Sequence, residues 1–112
     1  MGSISHEQLT VPVEDGTELD LYVARPEDDH DRHAGVIVLQ EIWGVNAHIR
    51  DVTDRFARLG YTAVAPDVFH RTARNFEAQY ADMSGLAHAK AITAEGARAD
   101  LAAAHAWVHE AL

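Results

Sequence analysis

The sequence predicts an α/β fold: a mostly parallel sheet with an antiparallel edge. Three observations carry this. Leu9, Val11 and Val13, then Leu19, Leu21 and Val23, alternate with polar or small residues on either side of Asp15-Gly16. That is the period of two half-buried strands joined by a turn. Val36-Ile37-Val38-Leu39 is a short, continuous apolar run, as expected of a strand covered on both faces. Between it and a second run, Tyr61-Thr62-Ala63-Val64-Ala65, lies an amphipathic helical stripe. Strand, helix and strand with short joints make a βαβ unit.

The elements follow in order. The hairpin ends near Arg25-Pro26, and Glu27 to His33 is almost wholly charged. That stretch reads as a solvated loop, because burial would leave charges unpaired. Asn46 is a helix N-cap. Ile49, Val52, Phe56 and Leu59 form the apolar face behind it. Asp51 with Arg55, and Asp54 with Arg58, are i,i+4 pairs with the acid first, the better orientation. Gly60 suits a left-handed helix end, and Pro66 stops the second strand. Asn75 to Met83 reads as a short helix ended by Gly85. From Ile92 onward the pattern is helical again, with Ala97, Leu101, Ala104, Val108 and Leu112 on one stripe and Trp107 beside it. Gly96 weakens the start of that helix by about 1 kcal/mol relative to Ala.

Composition bounds the function. The 112 residues, 12.3 kDa, hold one domain, 1–112. A chain 47% apolar and 24% charged is globular rather than disordered. Nine Lys+Arg against 18 Asp+Glu give a net charge of -9, which repels phosphate backbones, so no nucleic-acid partner is expected. The chain has no Cys, which excludes disulfides, thiolate metal sites and a Cys nucleophile within these residues. No apolar run approaches the roughly 20 residues of a membrane span. No signal-peptide core follows Met1, so the expected compartment is the cytoplasm, without membrane contact.

Chemistry concentrates after the first parallel strand. Leu39-Gln40-Glu41-Ile42-Trp43-Gly44-Val45-Asn46 runs from a buried strand into an amide, an acid and two large apolar residues, then turns at Gly44 into a helix. Ligands of open α/β sheets bind at the carboxyl ends of strands. Glu41 therefore stands where a catalytic acid or base would, and backbone N–H groups of the turn could face an oxyanion. The alternative is that Glu41 caps the helix or pairs with an Arg. His105 and His109, at i,i+4 with Glu110 adjacent, and His30 with His33 have metal-compatible spacings but imply no third ligand. The run Glu27-Asp28-Asp29 with Asp31 lacks the Gly and terminal Glu of a calcium loop. No Gly-x-Gly-x-x-Gly follows either strand. No metal and no cofactor are expected.

Gln40-Glu41-Ile42-Trp43-Gly44-Val45-Asn46, the helix ending in Gly60-Tyr61, and Ala63-Val64-Ala65-Pro66-Asp67 together resemble the dienelactone hydrolase (carboxymethylenebutenolidase) family. The resemblance runs from about Leu9 to Leu112 and covers the N-terminal half of a typical member. It implies the N-terminal half of an α/β-hydrolase fold and hydrolysis of a small-molecule ester or lactone. It implies that Glu41 takes part in activating a nucleophilic Cys and that the Ile42 N–H helps form the oxyanion hole. Family members hold a substrate carboxylate with Arg side chains, for which Arg71 and Arg74 are candidates; Trp43 and Tyr80 are further substrate-contact candidates. The alternative for both arginines is a solvated loop.

The family's Gly-x-Cys-x-Gly elbow, its Asp and its His do not occur in these residues. Ser3, Ser5 and Ser84 lie outside any Gly-x-Ser-x-Gly elbow. Strand 36–39 is also expected to have a neighbour on one side only, and a bare apolar edge is a pairing template. Two expectations follow. One is a truncated hydrolase whose Cys-His-Asp triad lies beyond this chain. The other is a non-catalytic α/β module that self-associates or pairs with a partner chain through strand 36–39. The pure 112-residue chain should therefore show no ester hydrolysis above background, because it cannot bring nucleophile, base and orienting acid together; protein-dependent turnover of a chromogenic ester would contradict this.

Overall fold

A computed structural model describes residues 3–28 and 34–112. Its elements are β1 (Ile4–Pro12), β2 (Glu18–Pro26), β3 (Gly35–Ile37), α1 (Ala47–Arg58), β4 (Thr62–Pro66), α2 (Gly85–Lys90) and α3 (Ala94–Ala111). The four strands form one sheet in the order β1-β2-β4-β3. β1 pairs with β2 and β2 with β4 in antiparallel register, and β3 pairs with β4 in parallel. The hairpin beside a βαβ unit is as the sequence predicts, but with two of three pairings antiparallel the sheet of described strands is mixed rather than mostly parallel. Residues 29–33 of the charged loop, with His30 and His33, lie outside the described residues.

Alternation along the strands sorts the two faces. Leu19, Leu21 and Val23 of β2 and Val64 of β4 point to one side, where Ala99, Ala104 and Val108 of α3 close over them. Val38, Ala65 and Tyr22 point to the other, against Ile49, Val52 and Phe56 of α1. All five residues of β4 are buried, as a strand covered on both faces requires.

Local signals place α1. The Asn46 side chain accepts from the Ile49 N–H at 3.1 Å, the N-cap bond. At the other end Tyr61 N–H donates to Phe56 O and Gly60 N–H to Ala57 O. Those two bonds define a Schellman motif, and the edge-to-face contact of Phe56 with Tyr61 supplies its apolar clasp. Asp51 and Arg55 pair at 2.8 Å, while the Asp54 carboxylate accepts from the Tyr22 hydroxyl at 2.8 Å. Burial and that bond both raise the Tyr22 pKa, burial the more.

Four expectations need correction. β3 is Gly35–Ile37 rather than 36–39: Val38 N–H still reaches Val64 O, but Leu39 has left the sheet and is 56% exposed. Residues 75–83 are not helical among the described elements, and Gly85 begins α2 instead of ending a helix. Asn75 adopts a left-handed φ of 61°, and its N–H is drawn to the Asp67 carboxylate, so the chain turns there. Leu59 and Leu101 are exposed although they fall on apolar stripes. Leu59 is already the C-cap of α1, and the buried residues of α3 are Ala99, Asp100, Ala104 and Val108. Gly96, finally, is where the Arg71 guanidinium and the Thr93 hydroxyl approach the backbone of α3.

The Asn46→Ala variant should lose about 1 kcal/mol of stability, the usual worth of an N-cap side chain. A urea midpoint unchanged from the parent would show that the cap bond does not hold α1 in place.

Candidate active site

The turn after β3 is built by long-range ties. Gln40 holds it from within: its side-chain amide donates to Glu41 O at 3.1 Å and accepts from Val68 N–H at 3.0 Å. Gly44 N–H closes the turn on Glu41 O. Residues 76–85 then lie across it as a strap. Ala78 N–H donates to Trp43 O at 3.2 Å, and the Trp43 indole N–H donates to Asp82 O at 3.1 Å. Two glycines allow the approach. Gly44, at φ +88°, faces the Phe76 carbonyl where a Cβ would overlap it, and Gly85 faces the Ile42 carbonyl in the same way.

The result is an exposed Glu41 side chain at the carboxyl end of the edge strand, followed by the half-buried Ile42. Among the described residues nothing accepts from the Ile42 N–H. A carboxylate and an unengaged backbone donor on adjacent residues are the parts that oxyanion chemistry uses. Trp43 packs edge-to-face on Tyr80 with ring centroids 4.8 Å apart. Tyr80 and Asp82 in turn line an open groove of about 550 Å³ that runs past the start of α1. The Ser84 backbone and side chain hold the Asp82 carboxyl below its ordinary pKa, so it stays ionised.

The structure thus brings Glu41, Ile42, Trp43 and Tyr80 together in the turn and its strap. It gives the two arginines other partners. Arg71 grips Asp100 of α3 with two bonds, 3.0 and 2.9 Å, and binds Asp15 of the hairpin turn at 2.7 Å. Arg74 bonds Asp20 at 2.8 Å and Glu18 O at 2.7 Å. Asp100 has a side chain only 1% exposed, and His70, equally buried, supplies its third contact at 3.0 Å through Nε2. Asp15 is held down to about 2, first by the Thr17 hydroxyl and backbone N–H and then by Arg71. The Asp100 bonds in turn raise the Arg71 pKa.

Sequence reasoning named the turn but missed what holds it. Gln40 was visible only as an amide beside an acid. The signal at Gly85 was a glycine, which reads equally well as a helix end. The His70–Asp100 pair was detectable as an acid on the buried stripe of α3. Elsewhere, His105 and His109 stack on α3 at 6.2 Å. No group of three or more His, Cys, Asp or Glu among the described residues could hold a metal ion. No helix there is long and apolar enough to cross a membrane.

A mixed sheet clad by α1 and α3, with an exposed acid in the turn at the carboxyl end of β3, is a partial α/β-hydrolase fold. The sequence model of the dienelactone hydrolase family matches residues 19–111, and the chain belongs to that family. A Synechocystis protein assigned as a carboxymethylenebutenolidase is 60% identical over 45 residues, 40% of this chain and 18% of the relative. A Yersinia pestis protein with the same assignment is 42% identical over 64 residues, 57% of this chain and 24% of the relative. A Klebsiella pneumoniae crystal structure assigned as a dienelactone hydrolase superposes with a TM-score of 0.84 at 29% identity, covering 97% of this chain and 45% of that one. The chain therefore spans less than half the length of these relatives.

Arg71→Ala should destabilise the chain by about 3 kcal/mol, because it leaves the buried Asp100 carboxylate short of its main counter-charge. Chemical denaturation checks this. A loss below roughly 0.5 kcal/mol, the surface-substitution range, would free Arg71 for a role other than holding α3.

Proposed function

We propose that this chain supplies the Glu41–Ile42 half of an ester- or lactone-hydrolysing site, and that the nucleophile and its partners come from residues beyond Leu112. The observation that supports it is the turn itself: an exposed acid and an unengaged N–H tied at the end of β3 by the bonds of Gln40, Trp43 and Gly44. In the completed site a Cys thiolate attacks the ester carbonyl carbon. The oxygen takes up the electron pair as an oxyanion, resting on the Ile42 N–H and one amide of the nucleophile's own turn. Collapse expels the alkoxide, which a His protonates, and leaves a thioester. Water, deprotonated by the same His, then releases the acid and restores the thiolate. Glu41, beside the thiol, influences its protonation. The compartment is the cytoplasm.

A second reading has its own observation. Among the described residues β3 has β4 on one side and no strand on the other. A second copy or a partner chain could pair there, making this a non-catalytic assembly module.

Two measurements separate the readings. The intact mass of the natural product, taken under denaturing conditions, should be roughly twice 12.3 kDa, and that product should hydrolyse simple esters. Glu41→Gln in it should then lower kcat/KM by about 100-fold, the scale of a general acid–base residue. A natural mass of 12.3 kDa, together with a stable dimer on light scattering, would reject the hydrolase in favour of the module.

A further inference from the structure

The Gln40 side chain is bonded at both ends. Its oxygen accepts from the Val68 N–H at 3.0 Å, and its nitrogen donates to Glu41 O at 3.1 Å. The first bond settles which way the amide faces, since only the oxygen can accept from an N–H. Its second partner, Glu41 O, belongs to the same peptide group as the Ile42 N–H.

That peptide is trans, so its carbonyl and its N–H point in opposite directions. Fixing one fixes the other. Two donors hold Glu41 O, the Gln40 amide and the Gly44 N–H at 3.2 Å. The Ile42 N–H is thereby turned away from both, and nothing among the described residues accepts from it. The Gly44 bond is local and lets the turn tilt as a unit. Gln40 ties the same carbonyl to a point outside the turn, two residues past the end of β4.

The bonds also run in series. The His70 N–H donates to Asp67 O at 3.2 Å, the carbonyl of the Val68 peptide. Val68 N–H donates to the Gln40 amide, and that amide donates to the Glu41–Ile42 peptide. Each group accepts at its oxygen and donates at its nitrogen, so each bond polarises the next, by about 10–30%. The last donor in the series is the Ile42 N–H.

We propose that Gln40 is a positioning residue: it sets the direction of the Ile42 N–H and strengthens it as a donor. The catalytic consequence rests on the hydrolase reading, but the orientation is a property of this chain. A donor aimed beforehand stabilises an oxyanion with no reorganisation at the moment of attack. Glutamine suits the position because one planar group carries both acceptor and donor.

Two variants separate the bonds. Gln40→Glu keeps an acceptor for Val68 N–H but at neutral pH has no hydrogen to give Glu41 O. Gln40→Met keeps the length of the side chain and loses both bonds. NMR of the 112-residue chain reads the effect directly, because a carbonyl that loses a hydrogen bond is less polarised, and so is the N–H of its peptide. Gln40→Glu should move the Glu41 carbonyl carbon and the Ile42 amide nitrogen upfield while the Val68 amide proton stays downfield. Gln40→Met should move all three, and it decides the matter by itself if Gln40→Glu does not fold. Glu41 and Ile42 signals that keep their parent positions overturn the proposal.

Kinetics of the natural product on a simple ester supply the second readout. Gln40→Glu should lower kcat about tenfold, short of the roughly 100-fold lost when an oxyanion donor is removed outright. KM should stay within about twofold, because the bond is made chiefly in the transition state. An ester-hydrolysing product whose kcat is unchanged by Gln40→Glu, whether or not KM rises, overturns the proposal and leaves the hydrolase reading standing. A product that hydrolyses no ester, with the NMR signals moving as expected, rejects the hydrolase reading and leaves the Gln40 orientation standing.

Discussion

The structure depends on the burial of one strand. β4, Thr62-Ala63-Val64-Ala65-Pro66, has β2 on one side, β3 on the other, α1 over one face and α3 over the other. Such a position tolerates little polar or bulky material. Two alanines keep its residues small, and Pro66, which cannot donate to a ladder, comes at the end where pairing stops. The turn after β3 inherits its place from this strand. Val38 N–H is aligned by Val64 O, and Gln40 is aligned by the Val68 N–H just past Pro66. Displacing β4 would move the Ile42 N–H with it.

Legibility in the sequence followed the range of the forces involved. The hairpin, α1, β4 and α3 were readable because their signals are local: alternation, an Asn N-cap, a Gly at a helix end, a stripe of small apolar residues. The 67–91 stretch was not, because its shape comes from partners far along the chain. Asn75 turns left-handed where its N–H meets the Asp67 carboxylate, and Gly85 is needed by the carbonyl of Ile42, 43 residues earlier. No periodicity encodes such contacts. The site divides the same way. Glu41 and Ile42, as candidates, come from one contiguous motif, and their place in the turn after β3 was readable from it. The engagement of Arg71 was hidden, since its partners Asp15 and Asp100 lie 56 and 29 residues away.

The charge pattern has an internal logic. In a chain with twice as many acids as bases, two of the three buried aspartates among the described residues, Asp100 and Asp20, have an arginine partner, while Asp67 relies on the backbone N–H groups of Phe69 and Asn75. Asp100 and Asp20 sit on elements that pack into the core, and Arg71 and Arg74 reach them from the loop after β4. Burying a carboxylate without such a partner would cost several kcal/mol. The same economy fastens that loop to α3 through His70 and Arg71, and to β2 through Arg74.

The open side of β3 and the turn that follows it are one feature seen twice. β3 is three residues long, and within two residues of its end the chain has reached Leu39, which is exposed, and then the turn. A strand laid in parallel along the free side of β3 would have its carboxyl end beside Ile42, because parallel strands run their carboxyl ends to the same edge. Whatever residues followed that strand would come within reach of the Glu41 carboxylate and the Ile42 N–H. On the proposed hydrolase reading, satisfying the sheet edge and completing the site would be one event in this geometry. A partner that covered β3 from the opposite direction would satisfy the backbone equally well but bring its amino end to Glu41. Direction of pairing, more than affinity at the edge, is what separates an enzyme from a scaffold here.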